Sequence, residues 1–151
     1  MNIYNHRHFV KEYAESLGLD SYATTGWNDI RNIAPALKWA KEGGMTPQGT
    51  LCITTSPIHT IEYYCKLADE EIAAGAEELC LKDMAGIGQP VFLGELTRRI
   101  KEKHPDILLE YHGHSGPGLS MASMLEVAKN GIDILDVAIE PLSWGKVHPD
   151  V

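Results

Sequence analysis

Glu78-Leu79-Cys80-Leu81-Lys82-Asp83-Met84-Ala85-Gly86 starts as a short apolar strand and turns polar where it ends. A helical pattern over 59–74 is closed by Gly75 just before it, and Pro90, suited to a first helical position, opens another helix after it. The stretch is the β of an α–β–α sequence, and the alternation repeats outward in both directions. Upstream, Gly49-Thr50-Leu51-Cys52-Ile53-Thr54 reads as a buried strand, preceded by a helical pattern over 29–42 that Gly43-Gly44 stops. Pro35 is tolerable in that helix only near its first turn. A short strand over 19–25 and a helix over 6–17 come before it. Downstream, 107–112 reads as a strand, 118–129 as a helix stopped by Gly131, and 132–138 as the last strand.

Strands starting near 19, 50, 78, 107 and 132 have the βαβ spacing, which predicts a parallel sheet. The strands are short and nearly all apolar, as in sheets covered on both faces. Two α/β architectures fit: an open doubly wound sheet, or part of a (β/α)8 TIM-type barrel. A complete barrel needs about 250 residues and eight strands. At 151 residues, the chain would be a single partial barrel domain over 1–151, with about five parallel strands and flanking helices. Polar residues cluster at the predicted strand ends: Asn28-Asp29, Thr54-Thr55-Ser56, Lys82-Asp83, His112 to His114 and Glu140. Barrel enzymes place their chemistry there, which favours the barrel, although open sheets bind ligands at the same end. Asn28, Thr54 and Asp83 are candidate substrate contacts. No G-x-G-x-x-G or P-loop pattern is present, which removes the usual dinucleotide and nucleotide readings.

The net charge of −8 argues against nucleic acid or an anionic membrane as partner. No apolar run is long enough to span a bilayer. Cys52, Cys65 and Cys80 are odd in number and lack C-x-x-C spacing, which fits free thiols in a reducing compartment. The N-terminal residues carry no apolar leader pattern, so the expected location is cytoplasmic.

His112 and His114 are two apart, and on a strand such residues point to one side. Both imidazoles could face one Zn, Mn or Co ion, or simply be two hydrogen-bonded polar residues at a strand end. Lys82 ends an apolar strand, where a lysine is costly to bury unless paired or modified. It could pair with Asp83. Alternatively it could carry an ε-carbamate, an anionic oxygen ligand that forms more readily when burial disfavours the ammonium.

Leu81 to Gly86 resembles the Ile-Lys-Asp-Met-Ala-Gly motif of the carboxyltransferase domain of biotin-dependent enzymes, such as pyruvate carboxylase, the oxaloacetate decarboxylase α subunit and transcarboxylase. Gln48 to Thr60 is similar to that family's Gln-Gly-Thr-Ile-Cys-Tyr-Thr-Thr-Ser-Pro-x-His-Thr, and His112-Gly113-His114 to its His-Thr-His. Asn28-Asp29 with Arg31-Asn32, and Ala128 to Pro141, fit further family stretches. The resemblance implies that Lys82 is carbamylated and binds a divalent metal with His112 and His114. It implies CO2 transfer between biotin and a 2-oxo acid or related small acceptor through a metal-stabilised enolate. No Ala-Met-Lys-Met biotinylation motif is present, so biotin would arrive on a separate carrier protein or domain.

Departures from the family are specific. The Arg-Asp-x-x-x-Gln motif of its first strand, which carries a metal-ligating aspartate, is not found. The chain aligns with strands two to six of the barrel, so another chain or self-association would complete it. Ser21 to Thr25 lacks an arginine that the family directs at the substrate carboxylate. Lys146 stands where the family has a threonine that shuttles a proton between biotin and substrate; it is a candidate acid or base, or an exposed surface lysine. Two other readings stand beside the carboxyltransferase: a non-catalytic partial barrel completed by another chain, and a metal-dependent carbon–carbon lyase of the same kind that needs no biotin.

Overall fold

The computed structural model describes the backbone of 21–24 and residues 28–139; the helix expected over 6–17, and Glu140 and Lys146, lie outside the described residues. Five strands form one sheet: β1 (Ser21–Thr24), β2 (Thr46–Cys52), β3 (Glu78–Asp83), β4 (Leu108–Gly113) and β5 (Ile134–Leu135). Four helices alternate with them: α1 (Ile30–Glu42), α2 (Ile61–Ala73), α3 (Pro90–Lys103) and α4 (Ser120–Lys129). All strand pairs are parallel and lie in sequence order, β1-β2-β3-β4-β5. A doubly wound sheet would reverse direction at a switch point. Unreversed order is that of a barrel wall, so the architecture is a partial TIM-type barrel.

The side chains divide between the two faces of the sheet. Leu51 and Ile53, Leu79 and Leu81, and Leu109 and Tyr111 alternate onto one face. They form one core with Ile33 and Leu37 of α1, Tyr64 and Leu67 of α2, Leu93, Leu96 and Ile100 of α3, and Met124 and Val127 of α4. All four helices therefore cover the same face. The other face carries Gln48, Thr50, Cys52, Cys80, Lys82, Glu110 and His112. The expectation that both faces are apolar and helix-covered is corrected by this polar inner face.

Local rules set the element ends. Asp29 caps α1 by accepting from Arg31 N at 3.0 Å, and Thr60 caps α2 by accepting from Tyr63 N at 3.2 Å. Pro35 lies in the second turn of α1, further in than expected. The carbonyl that loses its partner belongs to Arg31, an exposed first-turn residue that water can solvate. Strand β2 starts at Thr46, earlier than expected, and passes through Pro47, whose carbonyl accepts from Glu77 N at 2.9 Å. A proline weakens a strand signal, and here it falls at the strand's start. Strand β5 is shorter than the pattern over 132–138.

Candidate metal centre

The register lines up Cys52, Lys82 and His112 on neighbouring strands at the C-terminal end of the sheet. Parallel strands lie about 4.8 Å apart, so half-buried Lys82 stands directly between the other two. Among the described residues, Lys82 makes no ion pair. The alternative in which it pairs with Asp83 is not what the structure shows: one residue further along the strand, Asp83 faces the helices. There it is almost fully buried, and its carboxylate accepts from Ile87 N at 3.0 Å and Gly88 N at 2.8 Å. Asp83 thus shapes the loop after β3, a position turned away from a ligand on the inner face.

That loop joins the two sequence motifs. The Asp83 carbonyl accepts from both Gly86 N at 3.2 Å and His114 N at 3.1 Å. Gly86 has φ 65°, and a Cβ there would run into the His114 carbonyl and come within 2.9 Å of the Pro117 ring. Only glycine permits this approach, which fixes His114 against the end of β3. Gly113, where the resemblance has threonine, has a similar cause. A Cβ at Gly113 would come within 2.6 Å of Tyr111 Cζ on the helix side, so the change accommodates Tyr111 and leaves the histidines on the other face.

His112 Nε2 and His114 Nε2 are 3.3 Å apart, with ring centroids at 5.3 Å. Ligand nitrogens bound at about 2.0–2.1 Å in a tetrahedral arrangement lie about 3.3–3.4 Å from each other. The pair therefore has the separation of two ligands on one ion, and imidazole nitrogens are donors that suit a transition-metal ion.

Two residues not anticipated as site residues adjoin it. Asp136 Oδ2 lies 2.6 Å from His112 Nδ1, and Glu110 completes a group whose donor atoms all fall within 4.8 Å. Burial raises the Glu110 carboxyl above its ordinary range; the Gln48 hydrogen bond opposes this and the neighbouring Asp136 charge adds to it. Strand parity is the available signal for Glu110, two residues before His112. Asp136 needs the β4–β5 register, which pairs Tyr111 with Leu135.

The remaining candidates divide. Asn28, at φ 57°, clamps the end of β2: its Nδ2 donates to Cys52 O and its Oδ1 accepts from Cys52 N, both at 2.7 Å. Both ends of its amide are occupied by that strand. Thr54 is exposed, with its backbone N held by the Tyr64 hydroxyl at 2.8 Å, and it borders a cavity of about 120 Å³ lined also by Ser56, His59, Gln89 and Phe92. Burial, reinforced by Glu71 and opposed by Lys82, pushes the Cys52 thiol up, so it stands beside the site as a neutral thiol at neutral pH.

No protein-family model matches the chain. Curated relatives do. A pyruvate carboxylase subunit of Methanocaldococcus jannaschii is 35% identical over 98% of the chain, which covers 27% of that protein. The methylmalonyl-CoA carboxyltransferase 5S subunit of Propionibacterium freudenreichii subsp. shermanii is 36% identical over 93% of the chain, covering 28% of that protein. Among solved structures, the carboxyl transferase domain of Rhizobium etli pyruvate carboxylase with pyruvate superposes over 100% of the chain and 26% of its own, with TM-score 0.93 and 25% identity. The same domain with pyruvate and biocytin gives TM-score 0.90 over 97% of the chain and 26% of its own. The chain is homologous to one segment of the carboxyltransferase domain of biotin-dependent enzymes, and it spans about a quarter of the length of the curated relatives it matches.

Proposed function

We propose that the chain is a carboxyltransferase component that moves CO2 between biotin on a separate carrier protein or domain and a 2-oxo acid or related small acceptor. The observation that carries this reading is the convergence of His112 and His114 through Nε2 at 3.3 Å, with Lys82 in register beside them at the C-terminal end of the sheet. Lys82 adds its amine to CO2 and loses a proton, giving a carbamate whose oxygen joins the two imidazole nitrogens. These three residues would hold Zn, Mn or Co. When bound, such an ion supplies Lewis-acid stabilisation of negative charge on the acceptor's carbonyl oxygen.

The chain's own residues set the rest. Strand alternation puts Lys82 on the inner face, in register between Cys52 and His112. Thr54 offers a hydroxyl to the acceptor at the next strand end. Lys146 is a candidate for proton transfer between biotin and acceptor. Lys82→Ala in the assembled enzyme should abolish decarboxylation of oxaloacetate; unchanged turnover would rule the mechanism out. Turnover that needs no biotinylated carrier would point to the lyase reading instead.

One observation favours association with a further segment or chain. Leu108, Met121, Leu125, Ile134, Val137 and Ile139 are exposed along β4, α4 and the β5 edge. Apolar side chains beside a strand edge that is unpaired among the described residues invite pairing. Stable, monodisperse monomer at high concentration would count against completion by another chain or by self-association. Among the described residues no helix is long and apolar enough to cross a membrane.

A further inference from the structure

His112 presents its two ring nitrogens to different partners, and the distances separate their roles. Nε2 is 3.3 Å from His114 Nε2, whereas Nδ1 is 2.6 Å from Asp136 Oδ2. Neighbouring donor atoms on one ion, at bonds of about 2.0–2.2 Å and angles near 90–110°, lie about 2.9–3.5 Å apart. The first distance falls inside that window. The second is too short for shared ligation and is that of a charge-assisted hydrogen bond. Glu110, His112 and Asp136 therefore do not form a ligand set through Nδ1, although their donor atoms lie within 4.8 Å.

A carboxylate only accepts, so Nδ1 of His112 must carry the proton. In the neutral ring this leaves Nε2 with its lone pair, directed at the point it shares with His114. The placement of Asp136 follows from the fold. Its backbone N donates to the Tyr111 carbonyl at 3.1 Å, which aligns it with the residue after Tyr111. Glu110 adjoins its carboxylate, and Gln48 Nε2, from β2, holds Glu110 Oε2 at 2.8 Å. A polar chain thus runs across the inner face from Gln48 to His112.

We infer that Asp136, backed by Glu110 and Gln48, is the positioning residue that fixes the Nδ1–H tautomer of His112 and turns its Nε2 to the metal. This rests on the reading that Lys82, His112 and His114 hold a divalent ion. Carboxylates in this outer position change metal affinity by about 10–100-fold when removed.

The test is Co(II) titration of the full assembled protein against a competing chelator, followed by its visible spectrum, with histidine ¹⁵N NMR of the metal-free protein. Asp136→Ala should weaken Co(II) binding about 10–100-fold and alter the spectrum. It should also shift His112 from the Nδ1–H towards the Nε2–H tautomer. Asp136→Asn, which keeps an acceptor oxygen in place and guards against a folding defect, should recover part of the affinity and the tautomer. His112→Ala should abolish binding. Wild-type affinity and tautomer in Asp136→Ala would overturn the inference, as would a loss as complete as that of His112→Ala, which would make Asp136 a ligand. Should the wild type bind no Co(II), the metal reading fails; an unchanged tautomer in Asp136→Ala fails the positioning role alone.

Discussion

The two faces of the sheet are built from alternate residues of the same strands, and they obey different rules. The outer face, Leu51, Leu79, Leu81, Leu109 and Tyr111, is fully buried under four helices. The inner face carries Gln48, Cys52, Lys82, Glu110 and His112, connected across strands by hydrogen bonds and register. A polar residue on the outer face serves packing or turns, as Asp83 does for the loop after β3. On the inner face, polar residues converge at the C-terminal end, where ligand chemistry belongs in this architecture. Chemistry and stability should therefore be separable by mutation, one face at a time.

The largest separation is expected at Lys82. Lys82→Ala should lower carboxyl transfer by at least about 10³-fold, while the melting temperature of the metal-free protein stays within a few degrees. A matching collapse in stability would break the division between faces. On the outer face, Leu79→Ala should cost about 2–5 kcal/mol of stability by leaving a cavity in the core beneath the helices. Denaturant melts measure this, and metal content per folded chain should not change.

Glu71 sharpens the comparison because it is a carboxyl on the wrong face. It is fully buried beneath Gly49, neither oxygen finds a hydrogen-bond partner among the described residues, and burial pushes its pKa up to about 8. The ordinary glutamate value is 4.5, so the unfolded chain releases this proton first. The stability that this neutral form contributes is fully present below about pH 4.5 and is lost as pH rises from there through about 8. Glu71→Gln should flatten that fall and add about 2–3 kcal/mol at pH 8, the buried amide keeping part of the cost. Unfolding free energies measured at several pH values test the sign; a slope unchanged by the substitution would contradict it. The smallest effect is expected at Thr60, whose hydroxyl caps α2. Thr60→Ala should cost about 1 kcal/mol in a melt and leave metal binding intact.

Much of this is legible in the chain. Helix stops at Gly43, Gly75 and Gly131, and the even spacing of strands, set out the element order. The motifs at Leu81 to Gly86 and His112 to His114 mark the strand ends that carry the candidate site. What is not legible depends on register and on competing partners. Parity along β3 is enough to set Asp83 opposite Lys82, but not to show that its carboxylate is taken by two loop amides. Asn28 reads as a ligand contact, and only the fold shows its amide closed on Cys52. Asp136 lies in a plain strand-end sequence and acquires its place through the pairing of β5 with β4. The apolar reading of the strands misses the inner face because Thr50, Cys52 and Cys80 are small enough to pass within an apolar run.

The account's central claim is that Lys82, His112 and His114 hold one divalent ion on the inner face. Elemental analysis of the assembled protein, purified without chelators, tests it most directly. The account predicts close to one Zn, Mn or Co per chain, retained in Thr60→Ala and lost in both His112→Ala and Lys82→Ala. A metal-free wild type, or an ion that survives His112→Ala, would contradict it.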